Sequence, residues 1–350
     1  MASFLKYQKR VKEETVGALL FYVAVIMFTA FPLPGLTVYF FVSFYNEVYL
    51  RNDKASTSAL MDYVDPIMVP LACIMVLLIC GSTLYKIFQL SKGESIAKLL
   101  GGVLIPTDTQ EPKFKKILNI VEEISVVSGI KPLPVYYLPK EAGINTFSAG
   151  SSIENGVITV TQGCIDNLSR DELQGVIAHE FSHIFNGDMR LNVLLIGLVH
   201  GLELPLYMGA TLLKSVWNLN KRVNKKGSIV VALIIIVVTG GILATGGALI
   251  YIGLGSYFCS LQAKAVVTRH KEFLADATAV QYTRNPEGIG GALRKIMLSP
   301  DGSRIESPHA KEINHMFFAN YSNDPYIRHR DFATHPPLRK RLKRIFEVRY

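Results

Sequence analysis

The chain has 350 residues, of which 49% are hydrophobic, and its mean hydropathy is +0.28. A composition this apolar excludes a chain that lies wholly in water. The formal net charge of +9 does not indicate a nucleic-acid-binding protein, because the basic residues flank apolar runs and crowd the C-terminus. A membrane surface explains this charge better, and no nucleic-acid partner is predicted.

Uncharged runs predict which parts of the chain lie in a lipid bilayer. A helix needs about 20 apolar residues to cross one. Three runs without Asp, Glu, Lys or Arg reach this length, at residues 15–46, 66–85 and 227–263. A weaker run at residues 191–213 is interrupted by Glu203, which by default points at a cavity or a partner. The sequence therefore predicts an α-helical membrane protein with about four hydrophobic segments.

Between the second and third segments the composition becomes that of a soluble α+β domain. Pro112 can open an amphipathic helix that ends near Gly129. Three short β-rich pieces then predict a small sheet, at residues 135–138, 144–148 and 157–161. The middle piece can lie inside the sheet or at its edge, where it could hold an extended peptide through backbone hydrogen bonds.

The most informative motif is His-Glu-x-x-His at residues 179–183. Two histidines four residues apart lie one turn apart on a helix, so both imidazoles can bind one metal ion. Glu180 then lies beside the metal, where it can take a proton from a water molecule. The helix itself is indicated by Ser169 and Glu172, which form a capping box, and by the Asn-Gly stop at residues 186–187.

A hydrolytic zinc site normally uses three protein ligands and keeps a fourth position for water. The third ligand must lie downstream of His179 and His183, and the candidate is Glu272. Asp276 shares a helical face with Glu272 and is predicted to orient a ligating imidazole. The prediction is one Zn²⁺ ion bound by His179, His183 and Glu272, with Glu180 as the general base.

Four segments in combination resemble the HtpX-type integral-membrane zinc metallopeptidases, which are distant relatives of the type I CAAX prenyl proteases. The segments are residues 144–150 (INTFSAG), 179–188 (HEFSHIFNGD), 269–277 (RHKEFLADA) and 334–341 (THPPLRKR). The resemblance implies a gluzincin-like zinc protease domain carried by the hydrophobic segments. It also implies endoproteolysis of misfolded or damaged membrane proteins, on the cytoplasmic side of the bacterial inner membrane.

The resemblance further implies roles for individual residues. His335 and Arg341 match positions near the active site, where they could stabilise the oxyanion of the intermediate or order Asp276. Asp188 is expected to support the metal ligands without binding the metal itself. The strand residues expected to face a substrate are Asn145, Thr146 and Phe147. Thr146 stands where the family more often has Ala.

These elements divide the chain into four predicted parts. Residues 1–90 hold a basic head and two membrane segments, and residues 91–188 hold the sheet and the metal helix. Residues 189–263 hold the third and fourth segments, and residues 264–350 complete the protease domain. A basic loop at residues 214–226 fits poorly outside the cell. Three explanations are open: the basic N-terminus dominates, the third segment does not cross fully, or the domain faces the other way.

Three other functions are weighed against a membrane protease that acts on broad protein substrates. A CAAX-type prenyl-protein protease is expected to enclose a chamber with more membrane spans than four. A non-catalytic membrane scaffold stabilised by zinc would use a site closed by four protein ligands. A transporter function would leave both metal motifs unexplained.

Overall fold

The computed structural model describes residues 54–222, 229–319 and 335–347, together with residues 13, 16, 17 and 20–25. The first uncharged run lies for the most part outside these residues. The helices are α1 (Lys54–Gln89), α2 (Gly93–Leu99), α3 (Pro112–Ser128), α4 (Gln162–Asn167), α5 (Arg170–Phe185), α6 (Asp188–Arg222), α7 (Ile229–Thr283), α8 (Pro286–Leu298), α9 (Ala310–Ile313) and α10 (Leu338–Glu347). The strands are β1 (Val103–Leu104), β2 (Val135–Leu138), β3 (Thr146–Ala149) and β4 (Val157–Thr161), and a 3₁₀ helix follows α9 at Asn314–Met316.

The chain divides into two compact units. The first unit consists of Met1–Ala18, Lys86–Ile196 and Gln262–Tyr350, and it contains the whole sheet. The second unit consists of Leu19–Tyr85 and Gly197–Leu261, and its described part is helical. The first unit therefore holds every residue that the sequence predicts for the metal site.

The sheet has the strand order β1-β2-β4-β3. Strands β2 and β4 run parallel, and β3 pairs with β4 in the antiparallel direction. The strands predicted at residues 135–138 and 157–161 are confirmed, and the middle strand begins at Thr146, two residues later than predicted. Strand β1 has only two residues, too few to give an alternating pattern. The order decides the open question about the middle strand, because β3 lies at an edge.

Helix α5 forms where the sequence predicts it. At its N-terminus the Glu172 amide donates to Ser169 Oγ, and the Ser169 amide donates to Glu172 Oε2 at 2.7 Å, which completes the capping box. Beyond its C-terminus Gly187 has a φ of 73°, a left-handed backbone that glycine adopts without strain. A Cβ added at Gly175 would lie 2.4 Å from the amide nitrogen of Ile289 in α8, so the two helices pack closely. The helix is thus fixed at both ends and along one face.

Two described helical stretches are long and apolar enough to cross a membrane: Asp188–Asn218 in α6 and Val238–Cys259 in α7. The apolar stretch of α6 is 50% buried within the protein, and that of α7 is 25% buried. The second predicted segment lies within α1, and Cys73–Gln89 of α1 is a further candidate when joined to α2, from which it is bent by 87°. The described residues therefore contain two or three candidate spans. The predicted count of four stays a prediction, because the first segment lies largely outside them.

Candidate metal centre

Helix α5 presents the two motif histidines one turn apart, and their Nε2 atoms lie 3.1 Å from each other. Glu272 of α7 directs its carboxylate at both. Its Oε2 atom is 3.7 Å from His179 Nε2, and its Oε1 atom is 3.5 Å from His183 Nε2. Ligand atoms of a tetrahedral zinc ion lie about 3.3 Å apart, so these three side chains need only small shifts to share one ion. The fold brings the predicted ligand set together from two helices distant in sequence.

The charges around these ligands also fit a divalent cation. Four buried carboxylates lie here among the described residues: Glu180, Asp188, Glu272 and Asp276. Two buried cations face them, Lys271 and Arg341. With neutral histidines the cluster keeps an excess of two negative charges. Buried charge is unfavourable unless it is paired or coordinates a metal, and one divalent ion would neutralise this excess.

The charged side chains around the predicted metal ligands also shift the pKa values of these ligands. Burial acts to lower the pKa of His183, but its interactions with Asp188 and Glu272 outweigh burial and raise this pKa to about 10. For Glu272 burial acts to raise the pKa, yet the nearby His335 and His183 bring it below its usual value. Before a metal binds, the cluster therefore favours a proton on His183. Metal uptake must displace that proton.

Asp276 holds His179 from the side opposite the ligand cluster, with Oδ1 3.0 Å from Nδ1 of the imidazole. Arg341 of α10 donates to the same carboxylate twice, from Nε at 2.9 Å and from Nη2 at 2.6 Å. Its Nη1 atom donates to the Phe318 carbonyl and lies 3.3 Å from Glu272 Oε2. Asp276 is thus in position to orient a ligating imidazole. Arg341 contacts Asp276, which matches one of the two roles that the resemblance leaves open for it.

His183 is supported in a parallel way by a residue pair. Asp188, the first residue of α6, places Oδ2 2.9 Å from His183 Nδ1 and Oδ1 2.7 Å from Lys271 Nζ. Lys271 is only 4% exposed. The sequence analysis did not single out Lys271, because a lysine in a charged run is normally solvated. Its place beside Glu272 is the one local signal that it could face inward.

Glu180 lies between the two histidines on α5 and is 1% exposed. Thr146 of β3 donates its hydroxyl hydrogen to Glu180 Oε1 at 2.8 Å. Among the described residues, Oε2 of the same carboxylate has no hydrogen-bond partner. Buried polar atoms without a partner are uncommon and often mark a site that acts on an outside molecule. The geometry is that of a base with one oxygen held and the other available.

Asn145 uses its whole amide group within the protein. Its NH₂ group donates to the carbonyls of Ser303 and Ala319, and its Oδ1 atom accepts from the amides of Thr146 and Ala319. An amide side chain offers two donors and two acceptor positions, so none is left for a substrate. Asn145 instead ties the start of β3 to two segments far away in the sequence.

The rest of β3 is partly covered by the segment after the 3₁₀ helix. The Phe318 amide donates to the Thr146 carbonyl at 2.8 Å, and the Phe147 ring packs against Phe317 with ring centroids 5.7 Å apart. Backbone directions alternate along an antiparallel strand, so Ser148, like Thr146, turns its backbone away from β4. Neither the amide nor the carbonyl of Ser148 has a partner among the described residues. The unpaired part of this edge thus lies one residue beyond the predicted residues.

His335 lies next to the ligand cluster and is 3% exposed. Its Nε2 atom contacts the Phe317 carbonyl and lies 3.8 Å from Glu272 Oε2. Burial lowers the pKa of His335, so the ring is neutral at pH 7. Within the first unit, a small cleft is lined in part by His183 and Glu272. Its other lining residues are mostly polar, and several were not predicted: Ser148, Asn192, Thr268, Lys271 and His315.

Hydrolysis of a peptide bond needs a site that polarises the carbonyl, a base for the attacking water and a way to align the chain. The ligand cluster, the free oxygen of Glu180 and the edge strand could supply these in turn. With the apolar stretches of α6 and α7, they define a membrane metallopeptidase. The chain belongs to peptidase family M48, whose family model matches residues 111–349, more than half of the chain.

Relatives named protease HtpX homolog confirm the resemblance drawn from the four motifs. The relative from Dictyoglomus turgidum is 33% identical over 280 residues, which is 78% of this chain and 80% of that protein. The relative from Streptococcus uberis is 29% identical over 277 residues, 78% of this chain and 85% of that protein. A crystal structure of S. mikatae Ste24p aligns with 94% of this chain and 66% of its own length, with a TM-score of 0.40 and 17% identity.

Proposed function

We propose that the chain is a zinc-dependent endopeptidase that hydrolyses misfolded or damaged membrane proteins. The observation that carries this proposal is Glu180, a buried carboxylate beside the ligand cluster with one oxygen hydrogen-bonded and the other without a partner among the described residues. A scaffold that keeps zinc only for stability has no need of such a group. It would instead need a fourth protein ligand.

One Zn²⁺ ion would be held by His179, His183 and Glu272. When bound there, it would polarise the scissile carbonyl and make a water molecule more acidic. The chain keeps both histidines oriented through carboxylates at Nδ1, from Asp276 and Asp188, so that each Nε2 faces the cluster.

Glu180 would take a proton at Oε2 from the attacking water and then deliver it to the nitrogen of the leaving amine. Arg341 would act through Asp276 and Glu272, since its guanidinium contacts both carboxylates. His335 would be the remaining candidate to stabilise the oxyanion, because it lies beside Glu272 without belonging to the ligand set.

An extended peptide would pair with the edge of β3 through the backbone of Ser148, while Thr146 and Phe147 hold the strand in place. Backbone pairing makes little demand on side-chain identity. That supports substrates recognised by being unfolded instead of by a sequence motif.

The proposed location is the bacterial cell membrane, with the first unit on the cytoplasmic side. Asp188, which contacts His183, is also the first residue of a candidate span, so the metal site would lie close to the membrane surface. Substrates presented at that surface would be membrane proteins.

The test compares purified full-length protein with Glu180→Gln and Glu272→Ala, loaded with zinc in detergent and given an unfolded membrane protein. We expect Glu180→Gln to bind one zinc ion per chain and to cleave at least about 100-fold more slowly, the low end of what a general base contributes. Glu272→Ala should lose the zinc as well. Cleavage is followed on gels and zinc by elemental analysis, and exposed Glu122→Gln is the matched control. An active, zinc-loaded Glu180→Gln protein would rule out this mechanism.

A further inference from the structure

Among the described residues, the hydroxyl of Thr146 is the hydrogen-bond partner of the Glu180 side chain, at 2.8 Å from Oε1. Both residues are 1% exposed, so water does not compete for this bond. A hydroxyl can give its hydrogen to only one acceptor, and a carboxylate only accepts. The bond therefore fixes one oxygen of Glu180 and leaves Oε2 as the oxygen available to an outside molecule.

Thr146 is itself held firmly. Its amide donates to Asn145 Oδ1 at 3.0 Å, and its carbonyl accepts from the Phe318 amide at 2.8 Å. Side chains alternate across a strand, and the neighbouring Phe147 ring packs against Phe317, so Thr146 points to the opposite face, toward α5. A β-branched side chain has few χ1 rotamers, which keeps the hydroxyl in place. The donor is thus rigid in both its backbone and its side chain.

We propose that Thr146 is a positioning residue for the general base, because its hydroxyl holds the Glu180 carboxylate in the orientation that directs Oε2 at the attacking water. The proposal rests on the function proposed above. An alanine at this position would leave Glu180 free to rotate. Proton transfer depends strongly on the distance and angle between base and proton, so orientation affects kcat and not the binding of the peptide.

Three substitutions separate the hydroxyl from the shape of the side chain. Thr146→Val keeps the branched shape and removes the hydroxyl, and Thr146→Ser keeps the hydroxyl. Thr159→Val is the matched control: Thr159 lies opposite Phe147 on β4, is fully buried, and its hydroxyl has no partner among the described residues. All proteins are full-length, loaded with zinc and checked for zinc content and melting temperature.

We expect Thr146→Val to lower kcat about tenfold with KM and zinc content unchanged, a loss smaller than that from removing a general base. Thr146→Ser should stay within about threefold of wild type, and Thr159→Val should match it. Wild-type kcat in Thr146→Val, equal losses in Thr146→Ser and Thr146→Val, or a loss that follows zinc content would each overturn the proposal.

A second measurement does not depend on activity. The infrared difference spectrum between each protein and its Glu180→Gln counterpart isolates the carboxylate stretch of Glu180. We expect this band to shift in Thr146→Val and to stay in place in Thr146→Ser. If wild type cleaves and the Thr146→Val band does not move, the inference fails and the proposed function stands. If the band shifts but zinc-loaded wild type cleaves nothing, the proposed function fails, and Thr146 orients Glu180 for no catalytic step.

Discussion

At the scale of single residues, each motif histidine is backed by a carboxylate, and each carboxylate is paired with a buried cation. Asp276 contacts both His179 and Arg341, and Asp188 contacts both His183 and Lys271. Such contacts between a carboxylate and a histidine fix the ring orientation and the tautomer that a metal ligand needs. They also keep the buried carboxylates from standing as unpaired charges.

Arg341 is the largest fully buried side chain among the described residues, and its removal should be severe. Arg341→Met would leave Asp276 without its cation, and breaking a buried pair costs about 3–5 kcal/mol. Arg341→Lys should recover part of this stability, because it keeps the charge but not the two-pronged geometry. Thermal unfolding in detergent measures the effect, with exposed Arg339→Met on the same helix as the control. Equal melting temperatures for Arg341→Met and wild type would contradict the assignment.

Sequence reasoning reached the ligands but not all of their supports. The spacing of His179 and His183 determines their geometry on any helix, so local sequence was sufficient for them. Lys271 and Asn145 could not be assigned in the same way. Asn145 binds segments 158 and 174 residues away, and nothing in the local sequence tells which distant carbonyls will arrive there.

At the scale of elements, α5 depends on how its N-terminus is fixed to α8. Glu172 accepts from the Ser169 amide and lies 2.6 Å from Lys295 Nζ in α8. Burial acts to raise the pKa of Glu172, but Lys295 and the Ser169 amide outweigh burial and lower it below its usual value of 4.5. The capping box was readable from the sequence, whereas the contact between Glu172 and Lys295 required the packing of two helices whose contacting residues are 123 positions apart.

The direction of this shift predicts how stability depends on pH. Glu172 binds its proton less tightly in the folded protein than in the unfolded chain. Its contribution is therefore complete above pH 4.5 and is lost as the pH falls through the lower folded pKa. Glu172→Gln should be about 1 kcal/mol less stable than wild type at pH 7, a typical value for a cap, and the gap should close in acid. Unfolding curves from pH 7 to acid test this, with Glu122→Gln as the exposed control. A gap that does not change with pH would contradict it.

At the scale of the whole molecule, composition predicted the apolar helices that the structure describes, and the number of spans stays a prediction. The run at residues 227–263 yields the candidate span Val238–Cys259, as its uncharged sequence suggests. The run at 66–85 lies within α1, whose stretch Cys73–Gln89 is a candidate together with α2 across an 87° bend. Hydropathy measures length and polarity, and it carries no information about a bend.

Helix α6 leads to a prediction about membrane topology. The sequence left open whether the third segment crosses fully, since it contains Glu203 and Pro205 and leads to a basic loop. It forms a continuous helix through Pro205, with a candidate span at Asp188–Asn218. If α6 crosses, Lys221 near its end lies on the opposite side of the membrane from Lys140, which is exposed in the first unit.

Single cysteines at these two positions test whether α6 crosses the membrane. Lys221→Cys and Lys140→Cys are made in a background in which the four native cysteines are replaced, and a membrane-impermeant maleimide is added to intact cells and to inverted vesicles. We expect the two positions to react from opposite sides, with Lys140→Cys accessible in inverted vesicles. Reaction of both from the cytoplasmic side would mean that α6 lies in the membrane without crossing it. The positive-inside rule would favour that outcome, because the predicted loop at residues 214–226, which includes the end of α6, is strongly basic, whereas the length and low polarity of α6 favour crossing. A helix of about 20 apolar residues already spans the hydrocarbon core, and α6 exceeds this length, so we expect the hydrophobic term to prevail over the loop charge.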